Sequence, residues 1–240
     1  MLDRETPIVQ IKLDVLDRLL PAESAVVFGD IYGIDGGYSV EIFDRGTPRV
    51  VLIDTLETAA WQRERIDRPA LDFRKGDFSD SLFMLSIREQ FEVSVAFDIL
   101  LHQAPLVHTL NLMLRLTADR IAIVQPMLRE LEFPNALVYL PGNTATDLYP
   151  EPNPKSDIKV FDVEQVNHAY WQWGMTATFL ESVLAGEGFE LLEATDICPL
   201  PNPRWYWYSA IAKRVRKAES HWTEVRPTPG LFPGPWDRAG

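Results

Sequence analysis

The strongest constraint on this chain lies between residues 25 and 54. An apolar run over residues 25–28 enters the turn Gly29-Asp30-Ile31-Tyr32-Gly33-Ile34-Asp35-Gly36-Gly37-Tyr38. Residues 40–43 then read as a helix that stops near Gly46, and a second apolar run over residues 50–53 ends in Asp54. Short continuous apolar runs suit strands buried on both faces, and a strand, loop, helix, strand unit closes as a right-handed parallel crossover. Sheets built this way bind ligands beyond the C-terminal ends of their strands, beside this first turn. Glycines in the turn let backbone approach a ligand closely, and an acid at the tip of the second strand can accept hydrogen bonds from two ribose hydroxyls.

The alternation continues along the chain. Apolar residues at helical spacing predict a helix over 8–20, halted by Pro21. Further helices are expected over 61–68, 83–90, 106–116 and 176–185, the last capped by Thr176 or its neighbour and closed by Gly186 and Gly188. Strands are expected over 71–74, 93–101, 121–124, 190–196 and 206–212, with a further strand-like run over 133–140 and a Pro-, Asn- and Asp-rich loop over 142–156. In the last of these strands, Trp205 to Tyr208 are expected to alternate between core and surface. The fold class is α/β: a Rossmann-like, seven-stranded, mostly parallel sheet with an antiparallel last strand and helices on both faces. One domain over residues 1–217, including the N-terminal helix, precedes a Pro-rich tail over 218–240.

The turn is not a dinucleotide fingerprint. Placing the second and third glycines of G-x-G-x-x-G on Gly33 and Gly36 puts Ile31 at the first. A loop unsuited to a pyrophosphate but followed by a ribose-binding acid fits an adenosine cofactor without phosphates.

At these residues the sequence resembles the class I S-adenosylmethionine-dependent methyltransferases, over roughly residues 26–212. Asp30-Ile-Tyr-Gly33-Ile-Asp35-Gly36-Gly37 looks like the first cofactor motif of that family, in the variant that carries Asp-Gly. The resemblance implies S-adenosyl-L-methionine as cofactor, with Asp30, Gly33, Asp35 and Gly36 around its methionine part and Asp54 on its ribose. Gly76-Asp77-Phe78 looks like the motif that reads the adenine amino group, and Phe97-Asp98-Ile-Leu-Leu-His102 like the one against the transferred methyl. Leu106-Val107-His108 falls where the family often has Leu-Tyr-His, and residues 176–190 look like its last helix and Gly-Phe exit. Tyr32 and Ile34 depart from the first motif, and Gln125-Pro126 stands where a Pro-Gly-Gly turn is common.

Methyl transfer to a hydroxyl needs an aligned acceptor and a base for its proton. His108, His102 and His168 are the candidate bases, and each has the plainer alternative of capping or packing. Tyr170, Trp171 and Trp173 precede the last helix where the family builds its acceptor pocket, so they are candidate walls for a small organic acceptor. The alternatives are a non-catalytic binding or scaffold domain of the same fold, motivated by Tyr32 and Ile34, and a nicotinamide oxidoreductase, which the missing glycine opposes.

Composition narrows the partners. With 23 Lys plus Arg against 35 Asp plus Glu, the formal charge is −12, which repels phosphate backbones. The one basic cluster, Lys213, Arg214, Arg216 and Lys217, is expected to solubilise the end of a strand. Cys198 is alone, as expected for a buried bystander thiol in a cytoplasmic protein, and no metal-ligand spacing or G-x-S-x-G elbow is present. No apolar run is long enough to span a membrane. The expected partner is a small-molecule acceptor, with no nucleic acid and no membrane, and with a homodimer left open.

Overall fold

A computed structural model describes residues 2–103, 105–129, 134–141, 171–199 and 205–216. Helix α1 (Pro7–Leu19) leads into β1 (Ala25–Phe28), α2 (Gly37–Asp44), β2 (Val50–Asp54), α3 (Ala59–Asp67) and β3 (Leu71–Lys75). There follow α4 (Ser81–Ser86), β4 (Phe91–Phe97), a single 3-10 turn (Leu100–His102), α5 (Leu106–Leu116) and β5 (Thr117–Leu128). A small antiparallel ribbon, β6 (Leu137–Pro141) with β7 (Trp171–Met175), precedes α6 (Ala177–Gly186), β8 (Phe189–Pro199) and β9 (Trp205–Arg214).

Among the described residues seven strands form one sheet in the order β3-β2-β1-β4-β5-β9-β8. Neighbours from β3 to β5 are parallel, and β9, the last of the described strands, runs antiparallel to both β5 and β8. The expected mostly parallel sheet with an antiparallel last strand is what forms. Chain order reverses between β1 and β4, so the switch-point crevice opens there.

Every residue of β1 and β2 is buried because helices cover both faces. Leu16, Ile42 and Trp61 seal one face from α1, α2 and α3; Met84, Leu110 and Leu180 seal the other from α4, α5 and α6. Each such side chain contributes about 1.5–3 kcal/mol by leaving water.

Several boundaries differ from expectation for local reasons. The strand expected over 93–101 ends at Phe97, because Asp98 takes a left-handed backbone (φ 58°) and the chain then tightens into the 3-10 turn. Helix α4 stops at Ser86 instead of reaching residue 90: the Arg115 guanidinium takes the carbonyls of Met84 and Ile87, and Ile87 turns inward. Strand β5 extends beyond the expected 121–124 in both directions, since β4 pairs with it from Thr117 and β9 accompanies it to Leu128. Strand β7 carries a segment read only as an aromatic run. Trp205 to Tyr208 do not alternate between core and surface; all four are buried, because β9 lies inside the sheet.

The basic cluster also has more specific work than solubility. Arg214 donates to the carbonyls of Leu114 and Thr117 at the end of α5, and Arg216 to those of Ala185 and Gly186 at the end of α6. Both add a donor to carbonyls at the frayed end of a helix and place positive charge at its negative pole.

Candidate functional site

The turn after β1 is held open by its own side chains. Gly36 is the N-cap of α2 and has no side chain to satisfy the first helical N–H groups, so Asp30 does this from across the loop. Its carboxylate accepts from Tyr38 N at 3.3 Å, Ser39 N at 2.7 Å and Ser39 Oγ at 2.8 Å. Burial raises the Asp30 pKa to about 7, against the lowering effect of those hydrogen bonds. Both oxygens are thus turned towards the helix, and Asp30 shapes the loop.

Asp35 and Gly36 are consecutive left-handed residues, with φ of 50° and 77°. Asp35 Oδ1 accepts from Thr58 Oγ1 at 2.8 Å, and Thr58 in turn caps α3 by accepting from Trp61 N. The loop is therefore tied to α3 by a chain that starts at the Asp-Gly pair. Gly33 is also left-handed (φ 76°), and a Cβ added there would meet nothing within 4 Å, so its backbone faces open space.

Asp54 closes the base of the crevice. Its Oδ2 accepts from Ile31 N at 3.0 Å and its Oδ1 from Leu56 N at 3.1 Å. Burial raises its pKa, with the hydrogen bonds opposing. The carboxylate at the tip of β2 thus touches the loop after β1 directly. Of the other expected cofactor residues, Asp77 is exposed and folds back on Ser79, accepting from its N at 2.8 Å and Oγ at 2.7 Å. Phe78 is buried edge-on against Phe28, 6.1 Å between ring centres, and lines Gly29 from below.

Asp98 stands at the end of β4, across the switch point from β1. Its N–H is anchored to Val124 O at 2.9 Å. Its Oδ2 is ion-paired with Lys12, whose ammonium comes from α1 and lies 5.5 Å from the Tyr38 ring centre, 5.8 Å from Phe97 and 5.5 Å from Trp207. Asp98 Oδ1 is buried without a hydrogen-bond partner. Burial raises the Asp98 pKa, while Lys12 and then His102 lower it.

The expected bases separate in space. His102 ends the 3-10 turn after β4, near enough to Asp98 to act on it electrostatically, and β7 packs against that turn. Trp173 of β7 is half-buried against the core on this side. His108 instead lies exposed at the start of α5, its Nε2 2.8 Å from Ser81 Oγ. His168 and Tyr170 lie outside the described residues, as do the side chains of Trp171 and Cys198. Among the described residues no group of three or more His, Cys, Asp or Glu is placed to hold a metal ion, and no helix is long and apolar enough to cross a membrane.

Lys12, Thr58 and Trp61 were not among the expected site residues. Lys12 had a signal: it falls in the buried stripe Val9, Lys12, Leu13, Leu16, Leu19, where a cation is out of place.

No protein-family model matches the sequence, and no curated protein matches it. Solved structures match through their architecture, and the chain has the fold of the class I S-adenosylmethionine-dependent methyltransferases. It is similar to a 1,6-didemethyltoxoflavin-N1-methyltransferase from Burkholderia thailandensis, solved with 1,6-didemethyltoxoflavin and S-adenosylhomocysteine: 17% identity, TM-score 0.57, covering 86% of this chain and 78% of that one. It is similar too to the N-methyltransferase NodS from Bradyrhizobium japonicum, solved with S-adenosylhomocysteine: 11% identity, TM-score 0.56, covering 88% and 90%. A third neighbour, the [4+2]-cyclase SpnF, has 12% identity and TM-score 0.58, covering 86% and 82%.

Proposed function

We propose that this chain is a methyltransferase that uses S-adenosyl-L-methionine and acts on a hydroxyl of a small-molecule acceptor. The observation that carries the reading is the contact between Asp54 and Ile31 N, which joins a ribose-type carboxylate to an open left-handed loop at the switch point. The residues suit the cofactor in three respects. Gly33 leaves space for close backbone approach, Asp54 offers acceptor oxygens at the tip of β2, and Asp98 Oδ1 is a buried acceptor short of a donor.

In this reading Gly33, Asp35 and Gly36 form the wall for the methionine part, in a loop braced by Asp30, and Asp54 binds the ribose. Asp77 and Phe78 bound the adenine end, and Asp98 faces the amino-acid or acceptor side. The cofactor, when bound, supplies an electrophilic methyl group. His102 takes the hydroxyl proton of the acceptor at a ring nitrogen, being the described histidine nearest Asp98. Trp173 walls the acceptor on the β7 side. Methyltransferases solved with S-adenosylhomocysteine among the structural neighbours support methyl transfer from this cofactor.

A second reading has its own observation. Tyr32, half exposed, stands in the loop where the family has a small residue, and a cyclase shares the fold. A cofactor-binding domain that transfers no methyl accommodates both facts.

Calorimetry with S-adenosylmethionine, S-adenosylhomocysteine and NAD tests the proposal. Binding of both sulfur nucleosides without NAD is expected. A well-folded chain that binds neither overturns it, and binding without turnover on any hydroxyl acceptor favours the second reading.

A further inference from the structure

A lysine in the apolar stripe of α1 needs an explanation. Taking an ammonium out of water is costly unless charge and geometry compensate, and a pair of hydrophobic residues would fill the same space more cheaply. Lys12 is buried, and its compensation is concentrated at one point: the Asp98 carboxylate and the faces of Tyr38, Phe97 and Trp207. The pair is also incompletely satisfied. Asp98 has a left-handed backbone, which a non-glycine residue adopts at a cost, and its Oδ1 is buried with no donor. Strain and an orphaned acceptor together, at the mouth of the switch point, belong to a group prepared for a ligand better than to one that only stabilises the core.

We propose that Lys12 is a positioning residue that holds the Asp98 carboxylate by Oδ2 and leaves Oδ1 to accept a hydrogen bond from an amine or hydroxyl of the molecule entering the cleft. The role of that molecule rests on the methyltransferase reading; the hold of Lys12 on Asp98 does not. The charged and titratable groups facing Asp98 are Lys12 from α1, His102 from the 3-10 turn and the Tyr38 hydroxyl from α2, with Asp30 beyond Tyr38. Phe97 and Trp207 complete the enclosure of the Lys12 ammonium without charge. Burial drives Asp98 towards its protonated form, and a protonated Asp98 would offer a weaker acceptor. Lys12 opposes this, so its removal is expected to cost the site its carboxylate at mildly acidic pH.

The test begins on the full chain without ligand, by NMR titration of carboxyl-labelled aspartate with Asp98→Asn assigning the resonance. In Lys12→Met the Asp98 midpoint is expected to rise by about one pH unit or more, and Lys12→Arg to return it towards the wild-type value. A folded Lys12→Met whose Asp98 titrates as in wild type overturns the proposal. Where Lys12→Met does not fold, the double variant Lys12→Met/Asp98→Gly removes both charges and the acceptor together and suits the left-handed backbone at residue 98. Retention by that variant of wild-type S-adenosylhomocysteine affinity and wild-type turnover would show a purely structural pair and overturn the proposal.

Two probes separate the sources of the donor. If it is the amino-acid amine, S-adenosylhomocysteine binding to Lys12→Met weakens about tenfold on acidification, whereas methylthioadenosine, which lacks that amine, is unaffected. If it is the acceptor, both bind as before and only turnover gains the pH dependence. Absence of S-adenosylhomocysteine binding by the wild-type chain overturns the methyltransferase reading and leaves the Asp98 titration to judge Lys12.

Discussion

Trp61 lies directly on Gly36: a Cβ built at Gly36 would stand 2.2 Å from Trp61 Cε3. The Asp-Gly pair of the loop thus answers to packing as well as to backbone conformation. Gly36→Ala meets two penalties, a left-handed φ of 77° and an overlap with a ring that has no room to withdraw. Together they are expected to destabilise the fold by about 2–4 kcal/mol, read from urea unfolding. Trp61→Leu in the Gly36→Ala background should recover the overlap part and leave the backbone part. Strict additivity of the two substitutions would show that Gly36 and Trp61 are uncoupled.

The ribose contact proposed for Asp54 can be measured separately from the fold. Asp54→Ala is expected to weaken S-adenosylhomocysteine binding by about 1.5–3 kcal/mol, the usual worth of hydrogen bonds to a charged acceptor. Asp54→Asn keeps an oxygen for one backbone N–H and should lose less. Unchanged affinity in the alanine variant would place the ribose elsewhere.

The histidines give opposite expectations. His102 sits beside Asp98, and His102→Ala should slow turnover about a hundredfold while cofactor affinity holds. His108 is engaged with Ser81 on an exposed helix seam. His108→Ala should change turnover by less than about threefold, because an exposed hydrogen bond between α4 and α5 contributes little net free energy. If His108→Ala has the larger effect, the acceptor enters from the α4 side and the assignment of the base is reversed.

How much of this was legible follows from which physics acts locally. The runs at β1 and β2 are continuous apolar strands, so the crossover, the turn and Asp54 could be read in order. Thr176 as a cap and the helix over 106–116 depend on neighbours within a few residues, and both are found as expected. Lys12 and Asp98 are 86 residues apart, and nothing near either one specifies the other. Thr58 and Trp61 support the loop from α3, a contact no periodicity encodes. Strand β7 escaped because its partner β6 lies far away in sequence and its aromatic residues read as a pocket wall. At Asp98 a single left-handed residue ended a strand that hydropathy alone would have continued, and moved His102 onto a turn.

The Asp30 carboxylate makes the loop sensitive to pH, with a sign that can be worked out. Its folded pKa is raised from 3.8 to about 7, with burial the largest cause and the nearby Asp54 a minor one. Above pH 7 Asp30 is ionised in both the native and unfolded chain. As pH falls through 7 the native state takes up a proton, while the unfolded chain remains ionised until about pH 4. Stability therefore rises as pH falls from 8 to 5, by at most about 1.4 kcal/mol per pH unit, and levels off below the unfolded pKa. Asp30→Asn cannot titrate and lacks this component, although Asp54 and Asp98 still contribute theirs to both proteins. The expected result is a stability difference between wild type and Asp30→Asn, measured by urea unfolding at pH 5, 6, 7 and 8, that shifts in favour of wild type towards pH 5. A difference that stays constant across that range would mean that the hydrogen bonds from Tyr38 and Ser39 outweigh burial and keep Asp30 ionised throughout.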